Sequence, residues 1–139
     1  MRIALFGTGN LATHFLKAFE ELEAISCVQW IGRKENPPLA NNTPYFNAFQ
    51  NDIEVDICIL AISDDYISEV AQSFKTNSLV VHTAAAQSMD VLIPHKRKAC
   101  FCNFIQYRAN VAIPDSIGFN HRKRLICFHK QFCANLMKF

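Results

Sequence analysis

Glycine is scarce in this chain, with four residues in 139. That excludes collagen-like and glycine-rich linker sequences. Two of the four nevertheless stand together, in Gly7-Thr8-Gly9. Long apolar runs are also missing. The longest, Ile57 to Ile62, falls far short of the roughly 20 residues that cross a bilayer. Arg2 is followed by only four apolar residues, which makes no secretory signal. The expectation is a cytoplasmic protein without a membrane partner. Acid is absent from most of the C-terminal third: no glutamate follows Glu69, and Asp115 is the only acid beyond residue 94.

With 50% hydrophobic and 19% charged residues, the composition is that of a soluble globular protein. A chain of this length forms one domain and buries about two-thirds of its unfolded surface. The net charge of +2 hides a division. Residues 1–94 carry five Lys/Arg and eleven Asp/Glu, a net of −6, whereas residues 95–139 carry nine and one, a net of +8. Four of the six cysteines fall after residue 99. The other two, Cys27 and Cys58, sit in strand-like segments, where a small buried thiol is the expected role.

The glycine pair is informative because of its flanks. Arg2-Ile3-Ala4-Leu5-Phe6 reads as a strand, and Leu11 to Glu23 carries apolar residues at 11, 12, 15, 16, 19 and 22, the spacing of one helix face. Strand, glycine turn and helix open a dinucleotide-binding βαβ unit. Gly7 lets the chain turn sharply, Gly9 leaves room for a pyrophosphate, and Ala12 lets the helix pack close to the sheet. The helix N-terminus offers unpaired N–H groups to phosphates. Such a turn also serves as a plain connector, but its setting favours a nucleotide site.

Further strands are expected at Ile25 to Ile31, Tyr45 to Asn47, Val55 to Ile62, Ser78 to His82 and Ala99 to Ile105. Ala48 to Glu54 reads as a short helix or turn. Ser63 and Asp64 are good N-caps for a helix carrying Ile67, Val70, Ala71 and Phe74 on one face. Ser88 to Leu92 gives one or two helical turns, halted by Pro94. The fold class is α/β: a Rossmann-type doubly wound parallel sheet with helices on both faces. Residues 1–106 would form this NAD(P)-binding domain. Residues 107–139 would form a basic, Cys- and Phe-containing tail without periodicity, expected to be poorly ordered.

Ligands of such sheets bind at the carboxyl ends of the strands. An NAD site places an acid at the end of the second strand, but here Arg33 stands there, 21 residues past Ala12, with Lys34 beside it. A guanidinium pairs with a 2′-phosphate that an acid would repel, so NADP (NADPH) is the expected cofactor. Ala61, Ile62, Ser63 and Asp64 would pass under the pyrophosphate and nicotinamide ribose. Asp64 and Asp65 are adjacent and do not face each other on a helix, so capping is a better reading than an acid pair. His82 and Thr83 would point toward the nicotinamide. His82 could donate a proton during reduction, although a strand-end histidine bonded to backbone is the favoured reading. Cys100, Cys102, Cys127 and Cys133, with His121 and His129, match no zinc module. The basic tail has no helical stripe for nucleic acid. Neither a metal nor a nucleic-acid partner is expected.

Four segments carry a family resemblance: Ile3 through Ala12, Gly32-Arg33, Ile59 through Asp65, and Val80-Val81-His82-Thr83. Over residues 1–95 the chain resembles Rossmann-like NADP oxidoreductases related to pyrroline-5-carboxylate reductase and deazaflavin-dependent NADP reductases. It is most similar to the bacterial branch that adds a C-terminal helical domain of unknown function. The resemblance implies that Gly9-Asn10-Leu11 holds the pyrophosphate and that Arg33 contacts the 2′-phosphate. It also implies that the Ala-Ile-Ser-Asp turn and His82-Thr83 flank the nicotinamide. The candidate cofactor-binding residues are therefore Gly7, Thr8, Gly9, Asn10, Leu11, Arg33, Lys34, Ala61, Ile62, Ser63, His82 and Thr83. No catalytic residue is assigned.

Two departures stand out. Ala84-Ala85-Ala86 replaces the family's Ser-Gly type turn, and nothing after Pro94 matches the helical domain. A truncation or frameshift near residue 95 is the expectation that fits the change in charge. That domain supplies dimer contacts and part of the substrate cleft, so a homodimer is expected only where it is present. The function implied is hydride transfer to a small carbonyl or imine, the substrate itself being unknown. The alternative is a non-catalytic NADP-binding sensor or interaction module.

Overall fold

In the computed structural model, residues 1–33 and 43–100 are described, within a compact unit spanning Met1–Cys102. Six strands form one sheet: β1 (Arg2–Phe6), β2 (Ser26–Ile31), β3 (Tyr45–Phe46), β4 (Ile57–Leu60), β5 (Leu79–His82) and β6 (Lys98–Cys100). Their order is β3-β2-β1-β4-β5-β6, and every neighbouring pair is parallel. Chain order reverses between β1 and β4. The crevice beyond their carboxyl ends is thus the switch point at which doubly wound sheets take ligands.

β1 and β4 are central because, beyond Arg2, they are apolar throughout. Ile3 to Phe6 and Ile57 to Leu60 are all buried, as expected of strands covered on both faces. Side chains alternate between the faces. Ala4, Phe6, Cys58, Leu60 and Val80 join a core cluster with Ile67, Ala71 and Phe74, from α2 (Ile67–Gln72) and just beyond it. The opposite face receives α1 (Asn10–Glu20), which packs on β1 and β2 and buries Ala12, Phe15, Leu16 and Phe19. Each large apolar side chain so buried contributes about 1.5–3 kcal/mol. The fold is the expected Rossmann-type α/β sheet, with a helix on each face. No helix among the described residues is long and apolar enough to cross a membrane.

Several elements are shorter than their sequence patterns suggested. α1 ends at Glu20 rather than Glu23, because Glu20, Glu21 and Glu23 would crowd negative charge at a helix C-terminus. Ala48 to Glu54 forms bends and a turn, the second of the two expected forms. The segment after Ser63 begins as a 3-10 turn over Asp64–Tyr66 before α2 starts. Ser63 occupies its N-cap position, but no side chain caps it, so the expected Ser63/Asp64 cap is corrected. Ser88 does cap the 3-10 turn Met89–Leu92, accepting from the Asp90 N–H. Lys34, the rest of the expected sixth strand and the tail's cysteines and histidines beyond Cys100 lie outside the described residues.

Candidate functional site

The glycine turn is held from three sides. The Gly7 N–H donates to the Ile31 carbonyl at 2.8 Å, and the Ala61 N–H donates to the Phe6 carbonyl at 2.9 Å. From beneath, the buried Trp30 indole N–H donates to the Gly7 carbonyl at 2.7 Å. Gly7 has φ +120°, and a side chain there would collide with the Ala61 carbonyl. Only glycine fits such a position without strain.

Gly9 differs. It is the N-cap of α1, with extended backbone (φ −81°), and a Cβ built on it would meet nothing within 4 Å. Its freedom from a side chain therefore serves the space above it and not its own conformation. No side chain caps α1 and no acid stands in its first turn, so its leading N–H groups remain available to an anion. Gly32 is wedged: a Cβ there would lie 2.6 Å from Tyr45 Oη and collide with the Thr8 methyl group. The end of β2 thereby packs directly against the glycine turn.

A cavity of about 880 Å³ opens over these strand ends, within the range of small-molecule sites. Gly7, Thr8, Gly9, Asn10, Leu11, Arg33, Ala61, Ile62 and Ser63 all line it, so three separated segments of the sequence converge on one cleft. Lys34 lies outside the described residues. Thr83 and His82 are not among the lining residues, and His82 is fully buried. Neither His82 ring nitrogen completes a hydrogen bond of good geometry, although the backbone of Ser88 and Ala84 lies within reach of the ring. Burial holds this ring below the usual histidine value of 6.5, against weaker opposing pulls from the Ser88 backbone, the Asp64 charge and the Ala84 backbone.

Other lining residues were not anticipated. Phe6, Phe49 and Phe74 pack together along the cleft, Phe6 stacked on both others and Phe49 tilted against Phe74, with ring centroids 4.7–6.1 Å apart. Asn47 and Asn51 contribute from the loop after β3, and Tyr66, Glu69 and Ser73 from the opposite wall. Arg33, at the end of β2, lies over the Tyr66 ring with its Cζ 4.7 Å from the centroid. The loop wall is fixed by Gln29, fully buried in β2. Its amide donates to the carbonyls of Gln50 (2.9 Å) and Ile53 (3.2 Å) and accepts from the Gln50 N–H at 2.8 Å. A glutamine amid apolar strand residues was the available signal, since such a group is buried only when bonded.

Among the described residues, no cysteine lines the cleft. Burial pushes the Cys27 and Cys58 thiols up to about 12, which leaves them protonated and unreactive at neutral pH. Among the described residues, no three His, Cys, Asp or Glu side chains converge as metal ligands.

No protein-family model matches the chain, and no curated protein matches it. Among solved structures it is similar to one from Bacteroides fragilis, described as a putative NADP oxidoreductase, at 25% identity and a TM-score of 0.56. The match covers 68% of this chain and 40% of that one, so the chain matches well under two-thirds of its neighbour's length.

Proposed function

We propose that the described unit is an NADP-binding domain of an oxidoreductase that transfers hydride to or from a small carbonyl or imine. The observation that carries this reading is the meeting, in one cleft, of Gly9 at the open N-terminus of α1 with Arg33 at the end of β2. The open space above Gly9 suits a pyrophosphate, and the α1 N–H groups would bind it. Arg33 would pair with the 2′-phosphate, and Ala61-Ile62-Ser63 would lie beneath the nicotinamide ribose. The likeness to the Bacteroides fragilis protein supports the same reading. Bound NADPH supplies the hydride; the protein's contribution is binding and orientation.

A second reading, a non-catalytic NADP-binding module, is favoured by one observation. His82, the candidate proton donor, is fully buried, which keeps it from a substrate in the cleft. Both readings require nucleotide binding, and Trp30, the only tryptophan of the chain, reports on the glycine turn it touches. Titration of the protein with NADPH should change the Trp30 fluorescence saturably. A screen of small aldehydes and imines for NADPH oxidation then separates the readings: turnover supports the enzyme, binding without turnover the module. No fluorescence change and no binding by calorimetry would overturn both.

A further inference from the structure

One wall of the cleft presents a single helical face. Tyr66, Glu69, Val70, Ser73 and Phe74 all line the cavity, at positions i, i+3, i+4, i+7 and i+8. Phe74 is buried at the deep end of this face, while Tyr66 is 42% exposed. Tyr66 and Leu11 are two of the four exposed large hydrophobic residues among the described residues, and both border this cavity. Exposed apolar surface gathered at a concave site marks a place where a ligand covers it.

The partner of Tyr66 identifies what covers it. Arg33 reaches from the end of β2 on one side of the cleft to the Tyr66 ring on the other. At 4.7 Å there is no room for a planar group between the guanidinium and the ring, since two stacked contacts take about 7–8 Å. Resting on Tyr66, Arg33 bridges two of the residues that line the cleft. Arg33 needs another anionic or planar partner to leave the ring, and a nucleotide with a 2′-phosphate offers both.

We propose that Tyr66 is a ligand residue of the cleft: its ring stacks on the adenine of the bound nucleotide once Arg33 has moved from the ring to the phosphate. This rests on the cofactor reading above. The exchange favours binding. An exposed cation–π contact is worth about two- to fivefold in an equilibrium constant, whereas stacking of a base on an aromatic side chain is worth about 5- to 160-fold.

The test measures affinities of the full chain and its Tyr66→Ala and Tyr66→Phe variants by calorimetry. The probes are NADPH, adenosine 2′,5′-bisphosphate, which has base and phosphates but no nicotinamide, and inorganic pyrophosphate, which has no base. Tyr66→Ala should bind NADPH and the bisphosphate on the order of tenfold more weakly, the net of the two effects. Tyr66→Phe should bind both as the unmodified chain does, and pyrophosphate affinity should be the same in all three. Unchanged or tighter binding of the bisphosphate by Tyr66→Ala would overturn the proposal. An equal loss for pyrophosphate would do the same by showing a merely structural role. If the unmodified chain binds neither NADPH nor the bisphosphate, the cofactor reading falls and takes this one with it. Binding by the unmodified chain with no effect of Tyr66→Ala removes Tyr66 alone.

Discussion

Trp30 donates its indole N–H to the carbonyl of Gly7 at 2.7 Å, in full burial. The contact joins the end of β2 to the residue at which β1 bends into the cleft. Replacing Trp30 with Phe keeps an aromatic ring but strands a buried carbonyl lone pair, at a cost of about 1–3 kcal/mol. Urea unfolding followed by circular dichroism should show that loss, together with weaker NADPH binding. Full retention of stability would mean the bond is dispensable.

Arg33 should set cofactor preference. Because this residue stands where an NAD site places an acid, NADPH should bind more tightly than NADH by about 1.5–3 kcal/mol, the worth of a hydrogen bond to a charged group. Arg33→Asp should abolish or reverse the difference. Equal affinity of the unmodified protein for both cofactors would refute the assignment.

The two glycines of the turn should fail in different ways. Gly9 has an ordinary φ of −81° and open space beside it, so Gly9→Val should fold normally and lose NADPH binding. Gly7 has φ +120° and the Ala61 carbonyl against it, so Gly7→Ala should lower stability by several kcal/mol, combining backbone strain with a steric clash. Thermal melting separates the cases. A Gly9→Val protein that melts early would reveal a structural role for that residue as well.

His82 should make stability fall in acid. Its folded-state value is lowered from 6.5 by burial, so between that lowered value and 6.5 the unfolded chain binds the proton more readily. Stability from this group is therefore complete above pH 6.5 and declines as pH drops toward the folded value. His82→Leu removes both unbonded ring nitrogens and should flatten the difference in urea midpoint between pH 5.5 and 7.5. An unchanged slope would locate the pH dependence in other groups.

The central fold was legible because its signals are local. Ile3 to Phe6, the glycine turn and the periodic residues of α1 lie within 20 positions, and the apolar run around Ile57 to Leu60 announces a strand covered on both faces. What failed depended on ends and crossings. The near-continuous apolar run suggests a strand over Val55 to Ile62, but β4 spans Ile57–Leu60, since apolar character continues past the ladder. The Arg33–Tyr66 contact joins residues from either side of the strand-order switch, and no local periodicity encodes such a meeting. Phe49 lies in a bend segment with no pattern to mark it, yet it packs against both Phe6 and Phe74. The apolar run ending at His82 marks the end of β5, where that residue lies, but strand position alone does not tell whether its ring reaches the cleft.

The double tether of the turn bears on how the cleft can move. Gly7 is tied to Ile31 on one side, while Phe6, its neighbour, holds Ala61 on the other. The backbone at the switch point is in effect stitched across all three central strands, so neither half of the sheet can swing away from the other without breaking the seam. The amide protons of Gly7 and Ala61 should consequently exchange with solvent only through opening of the sheet itself, among the slowest events in the domain. Entry and exit of a ligand then fall to side chains at the mouth, whose rearrangement takes nanoseconds rather than the microseconds to milliseconds of a domain hinge.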